Sequence, residues 1–246
     1  MNNQVHKAVV VGASSGMGRE VAQLLLKQGC HVGIAARREQ NLRDIKQEYP
    51  ENVITAVIDV TADDAPERLV ELIGQLGGID LYLHAAGIGK QNMSLKPDIE
   101  IDTARTNVIG FQRMVTAVFN YMAEHGGGHI AAITSIAGTK GLGAAPAYSA
   151  TKAFQNTYIQ ALEQQAKMRK LNIHFTDIRP GFVDTALLDD GNRYPMLMNQ
   201  QKVAKTMLRK IGRRRHVVVI DWRYRLLTAA WRRIPRSLWR NMKVKT

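Results

Sequence analysis

Short apolar runs of strand length alternate along this chain with longer stretches whose apolar residues recur at helical spacing. The strand-like runs are KAVVVG (7–12), HVGIAA (31–36), NVITAVIDV (52–60), DLYLHAAG (80–87), GHIAAITSIAG (128–138), NIHFTDIRPG (172–181) and HVVVID (216–221). Near-continuous Val, Ile and Ala suit strands buried on both faces. Between them lie helical stretches ending at Gln28 and Tyr49, APERLVELIGQL (65–76), a long region from Asp98 to His125, and a helix containing YSATK (148–152). Such alternation predicts a doubly wound α/β domain over residues 1–246, with seven parallel strands and helices on both faces. The irregular stretch after the sixth strand, within 182–212, is expected to be a substrate lid. It follows a strand's C-terminal end, where open α/β sheets bind ligands.

Charge changes this picture only at one end. The net charge is +13, yet residues 205–246 hold 14 of the 34 Lys and Arg and one of the 21 acids. The remaining 20 bases and 20 acids of residues 1–204 cancel, so the body needs no nucleic acid to explain its charge. The tail 222–246 places Leu227, Trp231, Ile234, Leu238 and Met242 at helical spacing among arginines, and Pro235 should split it into two short helices. Two readings stay open: peripheral contact with an anionic membrane, or a helix covering the core or a dimer contact. No apolar run of ~18 residues predicts a membrane span. A polar Met1–Lys7 and the single Cys30, expected as a buried thiol, point to a cytoplasmic protein without disulfides. Scattered histidines predict no metal site.

VVVGASSGMGRE (9–20) sets Gly12, Gly16 and Gly18 between the first strand and first helix. These glycines suit a tight turn, backbone approach to a pyrophosphate and close helix–strand packing, with a helix N-terminus offered to an anion. The G-x3-G-x-G spacing resembles the nucleotide loop of the short-chain dehydrogenase/reductase family, a resemblance running over roughly residues 5–220. It implies a Rossmann-type fold, with Gly12, Ser14, Ser15, Gly16, Met17 and Gly18 at the cofactor. The second strand ends in AARR, where an acid would suit NAD(H); Arg37 and Arg38 instead suit a 2′-phosphate, so NADP(H) is expected over NAD(H). Asp59 and Val60, read as closing the third strand, match the family's pair at the adenine. HAAG (84–87) matches the family at Ala86 and Gly87 but departs at His84 and Ala85, and Val11 stands where threonine is common. His84 is expected to replace a structural asparagine as a hydrogen-bonding side chain.

The same resemblance assigns a catalytic tetrad to Asn107, Ser135 (late in the fifth strand), Tyr148 and Lys152. The chemistry explains the residue types. Reducing a carbonyl takes a hydride from nicotinamide and a proton from the protein. A tyrosine titrates near about 10, and an adjacent ammonium should lower that value and make Tyr148 a general acid. Ser135 would hydrogen-bond the substrate oxygen. By resemblance, Lys152 also binds the nicotinamide ribose and Asn107 holds a water that links Lys152 to solvent. RPGFVDT (179–185) resembles the family's segment beneath the nicotinamide, which brings in Pro180, Gly181, Val183 and Thr185. Leu187, Leu188, Tyr194, Met196, Leu197 and Met198 suggest a greasy substrate. The expected activity is NADPH-dependent reduction of an apolar ketone or aldehyde. An oxidative NADP-linked alcohol or sugar dehydrogenase and a non-catalytic NADP(H) sensor remain alternatives. The resemblance implies a homodimer or homotetramer built through the helices holding Asn107 and Tyr148.

Overall fold

A computed structural model describes residues 5–185, 188 and 194–244; Leu187 lies outside the described residues. Seven parallel strands form one sheet: β1 (Lys7–Val11), β2 (His31–Ala36), β3 (Val53–Val57), β4 (Leu81–His84), β5 (Gly128–Ile133), β6 (Ile173–Arg179) and β7 (Val217–Val219). Their spatial order is β3-β2-β1-β4-β5-β6-β7. The order reverses between β1 and β4, where Val11 pairs with His84, and the C-terminal ends of these two strands open the crevice of the fold.

Successive side chains of a strand point to opposite faces, and the core divides accordingly. Ala8 and Val10 of β1 face one layer, with α1 (Gly16–Lys27), α2 (Glu39–Glu48) and α7 (Gln200–Gly212). Val9 and Val11 face the other, with α3 (Ala65–Gln75), α5 (Phe111–Glu124) and α6 (Pro146–Met168). Both layers are built on fully covered Val, Leu and Ile, with Phe111, Phe119 and Phe175 added in the second, each contributing about 1.5–3 kcal/mol on burial. Cys30 is buried, and its thiol donates to the Val5 carbonyl at 3.1 Å.

Several strands stop earlier than the apolar pattern suggests. β3 ends at Val57 because Asp59 turns the chain: its Oδ1 accepts from the amide and hydroxyl of Thr61 at 2.9 and 2.8 Å. β5 ends at Ile133, and Ser135 lies beyond it as the cap of a 3-10 turn (Ile136–Thr139), its Oγ accepting from the Ala137 amide at 3.0 Å. The Asp98–His125 region is not one helix. It consists of α4 (Pro97–Ala104), a π-helical turn (Arg105–Gly110) and α5.

Pro235 separates α8 (Trp222–Arg233) from α9 (Arg236–Trp239). The face of α8 that turns inward differs from the expected stripe. Tyr224 and Thr228 are buried and Leu227 packs on the core, whereas Leu238 and Met242 are 61% and 48% exposed. Trp231 meets Trp239 edge-on, and the Trp239 indole donates to the Gly141 carbonyl at 2.8 Å. Tyr224 lies flat on Gly181, where any Cβ would overlap its ring. Its hydroxyl accepts from the Phe182 amide at 3.1 Å and donates toward the carbonyls of Pro195 and Met196 at 3.0 and 3.2 Å. The tail is therefore built into the segment after β6. Replacing Gly181 by Ala should displace that ring and cost about 1–3 kcal/mol of overpacking. The expected result is a Tm lower by about 2–10 °C in calorimetry, with faster proteolysis inside the last two helices.

Candidate active site

Backbone closeness shapes the nucleotide loop. Gly12 adopts φ +91°, and a Cβ there would lie 2.5 Å from the Ala86 amide nitrogen. A Cβ on Gly18 would overlap the Gly12 carbonyl, and the small Ala85 completes that contact. Gly16, at φ +59°, is different: among the described residues only the Thr185 methyl, 3.9 Å away, would meet a Cβ there, at the start of α1. Arg38 reaches across this loop, its guanidinium donating to Ser14 Oγ at 3.1 Å and Ser15 Oγ at 2.6 Å. Asn41 donates to the Ser14 carbonyl at 2.9 Å and holds the loop from α2. Arg37 is exposed beside it. The glycine turn, the helix N-terminus and a guanidinium over two hydroxyls fit the phosphates of a dinucleotide. Val60 is pressed on Gly110 of the π turn.

Asn107, Ser135, Tyr148 and Lys152 come together past the ends of β4 and β5. α6 begins with Pro146 at its first turn, which needs no amide hydrogen there, so Tyr148 sits in the opening turn and Lys152 one turn later. Thr151 carries the link to the π turn, accepting from Asn107 Nδ2 at 3.2 Å. The Asn107 side chain clamps the chain after β4 in both directions: Oδ1 accepts from the Ile88 amide at 2.9 Å, and Nδ2 donates to the Ile88 carbonyl at 2.7 Å. A Cβ on Gly87 would lie 3.2 Å from Asn107 Oδ1 and 3.6 Å from Lys152 Nζ, so the loop following β4 passes directly over both.

Lys152 is buried at 4% exposure. Its ammonium donates to the Ile133 carbonyl at 3.2 Å and to Gln155 Oε1 at 2.9 Å. Burial lowers its pKa to about 8, opposed by the charge of Asp177. The Tyr148 phenol moves the other way from the sequence expectation. Burial raises its pKa above the ordinary value, a hydrogen bond with Ser135 opposes the rise, and Lys152 does not lower it. The Lys152 Nζ lies 5.7 Å from the ring centroid and is directed to the two oxygens named above. Without cofactor, Tyr148 is a protonated phenol at neutral pH. The Asn107 carbonyl accepts from Gln155 Nε2 at 2.8 Å.

His84 is buried, hydrogen-bonded through Nδ1 to the Tyr82 hydroxyl at 2.8 Å, and edge-on to Phe111. Burial first, then the Lys152 charge, hold its pKa at about 3. It is neutral and acts as a packing and hydrogen-bonding group.

After β6, the Pro180 carbonyl accepts from the Ile136 amide at 3.1 Å and joins this segment to the Ser135 turn. Gly181 is covered by Tyr224. Val183 forms a bridge with Met198, made by the flanking Phe182 carbonyl and Asp184 amide, while its own carbonyl accepts from Thr185 Oγ1 at 3.3 Å. The expected greasy lid is only partly present among the described residues. Met198 is core and Met196 packs against it, because the bridge to Val183 turns this stretch inward. Tyr194 stacks on Phe182, and Leu197 is 47% exposed.

Three features were not anticipated. Gly89 packs so closely on the Tyr148 ring that any Cβ would overlap it. Its loop continues to Met93 and Leu95, exposed at 77% and 60%, and is tied by the Asn92 amide to the Ala144 carbonyl at 2.8 Å. Gln155 binds both Lys152 and Asn107. The only sequence signal for the first was a glycine two residues past the expected strand run, and for Gln155 a polar residue three after the lysine, on its helix face.

The short chain dehydrogenase family model matches residues 6–194. An uncharacterized oxidoreductase of Myxococcus xanthus is 35% identical over 241 residues, 94% of this chain and 93% of its own. One of Staphylococcus aureus is 32% identical over 220 residues, covering 86% and 93%. Among solved structures, the closed form of serine dehydrogenase complexed with NADP+ is 27% identical, with a TM-score of 0.75 over 82% of this chain and 87% of that one. Actinorhodin polyketide ketoreductase with NADPH is 24% identical, with a TM-score of 0.76 over 89% and 96%, a likeness of fold alone. The nucleotide loop, the sheet order and these matches agree: the chain belongs to the short-chain dehydrogenase/reductase family and is an NAD(P)-dependent oxidoreductase.

Proposed function

We propose that this oxidoreductase reduces an apolar ketone or aldehyde with NADPH. The observation that carries the reading is the convergence of Ser135, Tyr148 and Lys152 beside the glycine loop, with the phenol in its protonated form. NADPH, when bound, supplies the hydride to the carbonyl carbon. Tyr148 donates its proton to the carbonyl oxygen. Ser135 is oriented for the same oxygen: its Oγ already accepts from the Ala137 amide, and its own hydrogen is the donor toward substrate. Lys152 keeps a positive charge under the site. Gly12, Ser14, Ser15, Gly16, Met17 and Gly18 hold the pyrophosphate, Arg37 and Arg38 the 2′-phosphate, Asp59 and Val60 the adenine. Ala86, Gly87, Pro180, Gly181, Val183 and Thr185 surround the nicotinamide end.

An apolar substrate is supported by Met93 and Leu95, exposed on the loop that carries Gly89 against the Tyr148 ring. The two Met residues of the lid that turn into the core no longer contribute to that argument. Self-association belongs to the proposal as well, through Ile101 and Ile109, exposed at 51% and 46% on α4 and the π turn. A cytoplasmic location is consistent with one buried thiol; among the described residues no helix is long and apolar enough to cross a membrane.

A second reading concerns α8 and α9. Trp222 and Leu226, one turn apart on α8, are 62% and 63% exposed, and Leu238 and Met242 follow. They stand among Arg223, Arg225, Arg232, Arg233, Arg236, Arg240 and Lys243. This pattern suits the surface of an anionic bilayer.

A panel of carbonyl compounds assayed by NADPH oxidation tests the activity. Tyr148→Phe should cut turnover by about 10²–10⁴-fold while NADPH still binds. Binding without turnover of any compound would instead favour the sensor alternative. Replacing Arg37 and Arg38 together by Ala should weaken NADPH by about 10- to 100-fold in titration calorimetry, with little change for NADH. Equal weakening of both would remove the 2′-phosphate assignment. Co-sedimentation with vesicles of anionic lipid should fall when Trp222 and Leu226 are replaced by Ser; no difference from the parent chain would remove the membrane reading.

A further inference from the structure

Gln155 lies one turn beyond Lys152 on α6 and is completely buried. A buried side-chain amide must satisfy both a donor and an acceptor, and this one does so with two of the residues assigned to the chemistry. Oε1 accepts from the Lys152 ammonium at 2.9 Å, and Nε2 donates to the Asn107 carbonyl at 2.8 Å. The partners define which amide atom is which. An ammonium only donates and a carbonyl only accepts, so the group cannot be reversed without losing both bonds.

We propose that Gln155 is a positioning residue that joins Asn107 directly to Lys152 and holds the ammonium charged beneath the site. The assignment of Lys152 to catalysis rests on the function proposed above; the bridge itself does not. Leu or Met at 155 could fill the space but would leave the ammonium with Ile133 as its single oxygen partner among those described, and the Asn107 carbonyl unpaired. An ionised Glu could hold Lys152 but could not donate to Asn107.

The groups facing Lys152 are few. On α6 there is the Tyr148 phenol, on β4 His84, and on β6 Asp177, which accepts from Thr134 Oγ1 at 2.5 Å and from Arg179 Nε at 2.7 Å. His84 is neutral, Tyr148 is protonated, and Asp177 already has its partners. Neutral oxygens therefore carry much of the burden of keeping Lys152 charged. Its lowered value of about 8 leaves little reserve.

The test is a pH titration of lysine ¹³Cε signals by NMR in the full-length protein, with Lys152→Met to assign the resonance. The parent signal should titrate well below the exposed lysines. In Gln155→Met its midpoint should drop by at least one pH unit, a tenfold loss of proton affinity, and in Gln155→Glu it should rise. Gln155→Asn, too short to span both partners, should behave like the Met variant and serves if that variant does not fold. An unmoved midpoint in a folded Met or Asn variant would overturn the proposal. The alkaline fall of kcat in carbonyl reduction should follow the same order across the variants; a structural role alone would lower kcat evenly at every pH. If the midpoints move but no carbonyl is reduced, the proposed reaction fails and the bridge stands. If reduction occurs and the midpoints stay, the bridge fails alone.

Discussion

A lysine ammonium buried with no carboxylate bonded to it among the described residues is the constraint around which this site is arranged. Removing such a charge from water costs several kcal/mol unless oxygens replace the water. Here the oxygens come from separate parts of the fold. The last residue of β5, Ile133, turns its carbonyl toward Lys152, and Gln155 supplies the other oxygen from the lysine's own helix. The π turn supports Gln155 through the Asn107 carbonyl. The π turn therefore does more than break a helix. It brings a carbonyl to where a regular helix would direct it to its own backbone, as such turns often do at functional sites. Asp177 contributes charge from β6 but is bonded elsewhere, so it supports the ammonium without pairing with it.

Close backbone packing joins this cluster to the nucleotide loop. The turn at Gly12 presses on Ala86, the next residue, Gly87, lies over Asn107 and Lys152, and Gly89 meets the Tyr148 ring. One short segment after β4 thus touches the phosphate loop at one end and the phenol at the other. Asn107 holds the middle of that segment by both Ile88 backbone groups.

The fold was legible because its signal is coarse. Seven apolar runs separated by helical patterns leave few arrangements, and buried parallel strands announce themselves by continuous Val and Ile. The strand ends were not legible. Asp59 and Ser135 look like continuations of apolar runs, yet their side chains accept backbone amides and end the strands. In the site, the spacing of Ser135, Tyr148 and Lys152 named residues that the fold does bring together, and AARR pointed to Arg38, which lies over Ser14 and Ser15. The direction of the Tyr148 shift was misread because the pairing of charges was considered without burial. Adjacent positions on a helix say that two side chains share a face; they do not say that each is the other's partner. Lys152 had two oxygens to satisfy first, one of them on a glutamine that its sequence gave no reason to single out.

The basic tail shows the same limit from another side. Its helical spacing was visible, but the buried positions were set by one contact that hydropathy does not record, a tyrosine ring over a glycine. Gly181 leaves room for Tyr224, and the hydroxyl of that tyrosine then reaches the amide of Phe182 and the carbonyls of Pro195 and Met196. Those groups lie just after β6 and shortly before α7. With Tyr224 facing inward, the helical period turns Trp222 and Leu226 outward among the arginines. The exposure of that apolar pair therefore follows from the packing of Tyr224 on Gly181.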